Sequence, residues 1–215
     1  MAQMEHASIA AFASFSLELL ALGAPAELVG EATRAMSDEQ RHAMRCFALA
    51  SAYAEQALGP DALCIDGSLA APTLESILET TLLEGCIGEL VAAAEARESA
   101  SLTRDHFVHR TLCEIADDES RHATLAWRFL SWAIERGGAG LLDRARRVAS
   151  LELRCARGAA EQASLQPTGD DSTALGILPE TLRAQLRAEV IARVWSFRPS
   201  TRCAPAEWRR EQWDI

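Results

Sequence analysis

Asp38-Glu39-Gln40-Arg41-His42-Ala43 and Asp118-Glu119-Ser120-Arg121-His122-Ala123 match at five of six positions, 80 residues apart. Each stretch contains Glu-x-x-His, a spacing that sets a carboxylate and an imidazole side by side on one helix face. Apolar residues recur around each at three and four positions. Ala32, Ala35, Met36, Cys46 and Leu49 share the stripe of Glu39; Leu112, Ile115, Ala126 and Phe129 share that of Glu119. The polar motif therefore falls on the face that an amphipathic helix turns inward. One such motif means little, because glutamate is common on helices. Two in matching contexts are hard to obtain by chance.

Outward from these stretches the same periodicity predicts six helices, over residues 2–22, 26–58, 73–99, 102–136, 141–162 and 179–197. Gly23-Ala24-Pro25 and Gly137-Gly138 interrupt it, and residues 59–72 and 164–178 read as irregular. Almost no strand-like alternation occurs, so an all-α fold is expected. The first four helices form two hairpins, and the connection between the second and third, about 14 residues, reaches about 45 Å if extended. That is long enough to cross the length of a bundle. The expected organisation is an antiparallel four-helix bundle over 1–137 with a long crossover between helices 2 and 3. A two-helix C-terminal extension over 138–215 would pack on the bundle or on a partner subunit.

Two further acids complete a pattern. Glu5 precedes Glu39 by 34 residues, and Glu84 precedes Glu119 by 35. At the helical rise, Glu84 and Glu119 lie about 25 Å and about 27 Å from the turn between their helices, hence at one level. Glu5 and Glu39 differ by roughly one turn, within the reach of helix tilt. Ile9, Phe12 and Leu19 share the face of Glu5, and Ile77, Thr80, Ile87 and Val91 share that of Glu84. Four ionised carboxylates in such an interior are prohibitively costly unless compensated. Two divalent cations offset four negative charges, and hard oxygen donors with one imidazole per metal suit iron or manganese.

With these residues the chain resembles the ferritin-like di-iron carboxylate superfamily, of the small bacterial oxidase or hydroxylase type, over roughly residues 3–137. The resemblance implies Glu5, Glu39, Glu84 and Glu119 as terminal and bridging carboxylates, without telling which pair bridges. It implies His42 and His122 as the nitrogen ligands. The pair would be two iron ions, two manganese ions or one of each. Asp38 and Asp118 are implied to accept the second imidazole N–H, with Arg41 and Arg121 balancing them. The activity implied is an oxidoreductase that activates O2 or peroxide to oxidise a small organic substrate. It would be supplied by a separate electron donor, since no flavin or nicotinamide fingerprint is present. The alternative is metal handling: ferroxidase, peroxide-scavenging or manganese catalase-like chemistry.

The third helix is unusual beside its acid, reading Glu84-Gly85-Cys86-Ile87-Gly88-Glu89. Each mid-helix glycine costs about 1 kcal/mol relative to alanine. Two together suggest a π-bulge, close backbone approach or room for a substrate, with plain tight helix–helix packing the equal alternative. If a bulge shifts the phase, Glu89 becomes an additional or alternative ligand. Thr80 and Ser8 fall on the ligand faces, where a hydroxyl could relay protons, although Ser and Thr more often bond back to the carbonyl four residues earlier. His106-x-x-His109 has no partner cluster and reads as surface histidines. Tyr53, roughly 16 Å along the helix from His42, is too remote for a radical role.

The charge balance narrows the partners. The chain holds 21 basic and 31 acidic side chains, with 9 basic and 21 acidic among residues 1–137. Nucleic-acid binding rests on neutralising phosphates with basic residues, so such a partner is not expected. The six cysteines form no C-x-x-C pair, which excludes a zinc ribbon and fits a reduced, cytoplasmic protein. No uncharged run is long enough for a membrane helix. The apolar stretch from Ile9 to Leu22 has Glu5 ahead of it and no basic segment, so it reads as a helix rather than a signal peptide. Trp195, Trp208 and Trp213 sit among Arg198, Arg202, Arg209 and Arg210. They are expected to cover an end or side of the bundle, to contribute a homodimer contact, or to clamp an anionic substrate.

Overall fold

The computed structural model describes residues 1–65, 72–165 and 176–196, the side chains of Trp195 and Ser196 excepted. The Arg and Trp residues expected to cover the bundle, at 198, 202, 208, 209, 210 and 213, lie outside the described residues, as does the side chain of Trp195. Among the described residues every regular element is a helix, as the periodicity predicts. The chain divides into two compact units, Met1–Ile77 and Leu78–Ile215.

The first unit is a hairpin of α1 (Ala2–Ala21) and α2 (Ala26–Ala54). Leu22, Gly23 and Ala24 turn their amides back to the carbonyls of Glu18, Leu20 and Leu19, closing α1. Gly23 does this at φ +64, which only a residue without Cβ adopts cheaply. Pro25 then stands at the N-cap of α2, its carbonyl accepting from the Leu28 amide. Phe12, Leu19, Leu28, Ala32, Ala35 and Cys46 are buried. α2 ends earlier than the predicted residue 58. Glu55 takes a left-handed conformation, φ 51, and the Ser51 hydroxyl accepts the Leu58 amide at 2.9 Å. A side-chain turn has replaced the next helical one.

The second unit begins within a helix of three consecutive pieces: an α segment Leu74–Thr80, a π segment Thr81–Gly88 and an α segment Glu89–Leu102. We call the whole rod α3. The division between the units falls in its first piece. α4 (His106–Gly137) follows, its start fixed by Asp105, whose carboxylate accepts from the amides of Phe107 at 2.7 Å and Val108 at 3.0 Å. Gly138, at φ +73, separates α4 from α5 (Ala139–Ser164), and α6 (Glu180–Ser196) closes the described chain.

The boundary expected at 137/138 falls inside this unit. α5 and α6 share a core with α3 and α4: Ile87, Leu90 and Val91 pack with Ala123, Leu153, Ala156, Val190 and Ile191. Ion pairs of Arg144 with Glu79 (2.6 Å), Arg183 with Glu95 (3.1 Å) and Arg187 with Glu152 edge this packing. Among the described residues no helix is long and apolar enough to cross a membrane.

Candidate metal centre

α2 buries Glu39 and His42 together, each 1% exposed. They lie one turn apart on the stripe that also buries Ala32, Ala35 and Cys46, so the i, i+3 pairing and the inward face arise from the same periodicity. His42 Nδ1 is 3.7 Å from Glu39 Oε2 and 3.6 Å from Glu5 Oε2, the latter reaching in from α1. One donor atom from each of the three lies within 4.8 Å of the others. The roughly one-turn mismatch of Glu5 and Glu39 computed from the sequence is thus absorbed.

In the second unit α4 buries Glu119 and His122 on the stripe of Leu112, Ile115, Ala126 and Phe129. His122 Nδ1 lies 3.0 Å from Glu119 Oε2. The third donor comes from α3, and it is Glu89: one atom each from Glu89, Glu119 and His122 lies within 4.8 Å of the others.

Glu84, expected as the ligand on this helix, is exposed and belongs to neither cluster. Thr80, expected on the ligand face, is exposed as well, while Thr81 is buried. The π segment is the cause. A regular helix would bury positions 77, 80, 84, 87 and 91. The wider turn changes the phase within the segment: Ile77, Ile87 and Val91 are buried as a regular count expects, but Thr81 and Cys86 are buried where Thr80 and Glu84 are exposed. The two glycines of Glu-Gly-Cys-Ile-Gly-Glu were the signal for this shift.

The remaining polar candidates divide in the same plain way. Asp38 and Asp118 are each largely shielded and paired with the arginine three residues on, Asp38 with Arg41 at 2.5 Å and Asp118 with Arg121. Ser8 donates to the Met4 carbonyl at 3.2 Å, the local bond that a helical serine usually makes. His106 and His109 are exposed on α4, with His109 Nδ1 2.8 Å from the Ala100 carbonyl oxygen. Tyr53 is half exposed on α2.

Electrostatics around the first cluster register its charge. Burial, joined by the negative charge of Glu5, pushes the Cys46 thiol up to about 12 against the opposing pull of His42. Burial alone pushes the Cys86 thiol well up. Both stay protonated at neutral pH.

The donor sets suit a hard or borderline divalent cation. Within each unit the set holds two carboxylates and one imidazole, Glu5, Glu39 and His42 in the first and Glu89, Glu119 and His122 in the second, a donor chemistry that suits such an ion. The observed separations of 3.0 to 3.7 Å between donors match neighbouring ligands on one ion with bonds of about 2.1 Å. Comparison of the chain with protein-family models, with curated proteins and with solved structures finds no match.

Proposed function

We propose that this protein is a dinuclear metal-dependent oxidoreductase of ferritin-like build, which uses O2 or peroxide to oxidise a small organic substrate. In this reading α1–α4 are the four rods of the bundle, and each cluster contributes the ligands of one of two iron or manganese ions. The observation that carries it is the recurrence, in each unit, of a buried Glu-x-x-His pair joined by one more carboxylate from the neighbouring helix. Two carboxylates buried this deeply, each beside an imidazole and a further carboxylate, are costly to keep for stability alone.

Bound metal would supply the electrons or the Lewis acidity that O2 or peroxide chemistry needs. The chain does the rest. Glu39 and Glu119 hold negative charge where water is excluded by Ala35, Cys46, Ile115, Ala126 and Phe129. His42 and His122 must present an unprotonated nitrogen, so loading competes with protons and becomes weaker as the solution is acidified. Glu5 and Glu89, less buried than the carboxylates they join, are the ones placed to shift position as substrate enters.

Metal quantification on protein expressed with iron and with manganese tests the reading, followed by stopped-flow mixing of the ferrous form with O2. The expected result is about two ions per chain and fast oxidation monitored by absorbance. Metal content unchanged by Glu39→Ala with His122→Ala sinks the site. Rapid O2 consumption that no organic compound alters the course of would move the activity to ferroxidase or peroxide-scavenging chemistry.

A further inference from the structure

The π turn of α3 has a packing partner. A Cβ built on Gly85 would lie 2.7 Å from Cβ of Ala126 and 3.4 Å from Cγ2 of Thr81. Carbon atoms attract best at about 3.5–4.0 Å, so a methyl group at position 85 has no room unless one helix moves. The backbone of α3 therefore lies directly on α4 at this point, with hydrogen on one side and the smallest side chain on the other.

The contact is placed where it matters for the second cluster. Ala126 stands four residues after His122 and seven after Glu119, on the same face of α4. Gly85 lies inside the π segment Thr81–Gly88, directly after the excluded Glu84 and four residues before the included Glu89. Displacing α3 here would lift Glu89 from its neighbours or drive the wide turn out of the helix. Without that turn the phase returns to the one that places Glu84 inward.

We propose that Gly85 is a positioning residue: its approach to Ala126 holds the π turn that delivers Glu89, and not Glu84, to Glu119 and His122. The role rests on the reading of that cluster as half of a metal centre. Helix propensity points the other way, since alanine is the better helix former. A loss on Gly85→Ala is therefore a packing effect.

The test uses the full chain in wild-type form, as Gly85→Ala, and as Gly85→Ala with Ala126→Gly, which removes the opposing methyl. Mn(II) binding is titrated. Separately, in metal-free protein, the labelling rate of Cys86 is measured with a maleimide and assigned by mass spectrometry; Cys86 is a fully buried residue of the π segment itself. Gly85→Ala is expected to weaken Mn(II) binding by about tenfold or more and to speed Cys86 labelling comparably, as overpacking of a fitted contact does. The double variant is expected to recover both. Glu89→Gln should abolish the binding that Glu84→Gln leaves intact.

Gly85→Ala that binds Mn(II) and shields Cys86 like the wild type overturns the proposal. So does a double variant that recovers neither. Should Gly85→Ala yield no folded protein, rescue of folding by Ala126→Gly supports the role and failure of rescue rejects it. A wild-type chain that binds no Mn(II) or Fe(II) removes the metal reading, while Cys86 labelling alone still decides whether Gly85 holds the turn.

Discussion

In the first unit the third donor is Glu5, on a helix that stays regular from Ala2 to Ala21; in the second it is Glu89, carried by a helix with a π turn in its path. The Glu-x-x-His pairs themselves are alike, Glu39 with His42 and Glu119 with His122, all four buried. Their settings differ in tightness, with His122 Nδ1 3.0 Å from its glutamate and His42 Nδ1 3.7 Å. The intervals to the third donor differ more: 34 residues from Glu5 to Glu39, but 30 from Glu89 to Glu119. A relation fixed within one helical turn has been preserved in both units. A relation that spans a whole hairpin is reached by different backbone geometry, the second route running through the π segment that contains Gly85 and Gly88.

The largest effect should come from what only the second unit has, the cover of α5 and α6. Ile191 on α6 is 1% exposed and packs with Ile87 and Leu90 of α3. Ile191→Ala is expected to cost about 2–5 kcal/mol in chemical denaturation. A value below about 1 kcal/mol would mean that α6 contributes little to holding α3 in place.

Neutralising one buried carboxylate in each unit should come next, and with opposite signs in two conditions. Glu39→Gln with Glu119→Gln replaces two buried carboxylates by neutral groups of the same shape, so the chelator-treated chain should become more stable where the cost of burying a carboxylate exceeds what its contact with His42 or His122 returns. The same variant should show no rise in Tm when Mn(II) is added, whereas the wild type does. Metal-free protein destabilised by the change would mean that these acids serve the fold rather than a cation. His42→Ala and His122→Ala, made separately, then ask whether the clusters load independently. A fall to about one ion per chain in each says they do; complete loss in both says that they share ligands.

How far the site could be read from sequence follows from the same contrast. Glu39, His42, Glu119 and His122 were legible because i, i+3 adjacency needs no knowledge of the partner helix. Glu5 was legible because α1 keeps its phase. Glu84 and Thr80 were expected inward and lie exposed, because a 3.6-residue count across Thr81–Gly88 does not see the wider turn. Glycines at 85 and 88 marked the place without stating the direction of the shift. Helix ends divided similarly. Asp105 in front of Phe107 and Val108 is a readable cap, yet the start of α4 was expected at 102. The end of α2 depends on Ser51 catching the Leu58 amide, a local competition that periodicity does not contain.

The smallest effects belong to ionisation outside the clusters, and they compare the units through their buried thiols. Cys46 in the first unit has its folded-state value raised to about 12 from an ordinary 9.0, with burial the main cause and Glu5 the next. A raised value means that the folded state holds the proton more tightly than the unfolded chain. The stability this contributes is complete below pH 9, and it drains away as pH climbs from 9 toward about 12. Cys86 in the second unit behaves alike through burial alone. Urea midpoints measured at pH 8, 9, 10 and 11 should therefore fall less steeply for Cys46→Ala than for the wild type, although the variant starts lower for want of the buried sulfur. Glu5→Gln should flatten the slope only slightly, because it removes the second cause and leaves the first. Equal slopes for wild type and Cys46→Ala would show that the thiol is not sealed from water in the folded state. The apolar wall on that side of the first cluster would then be more open than the one around Cys86.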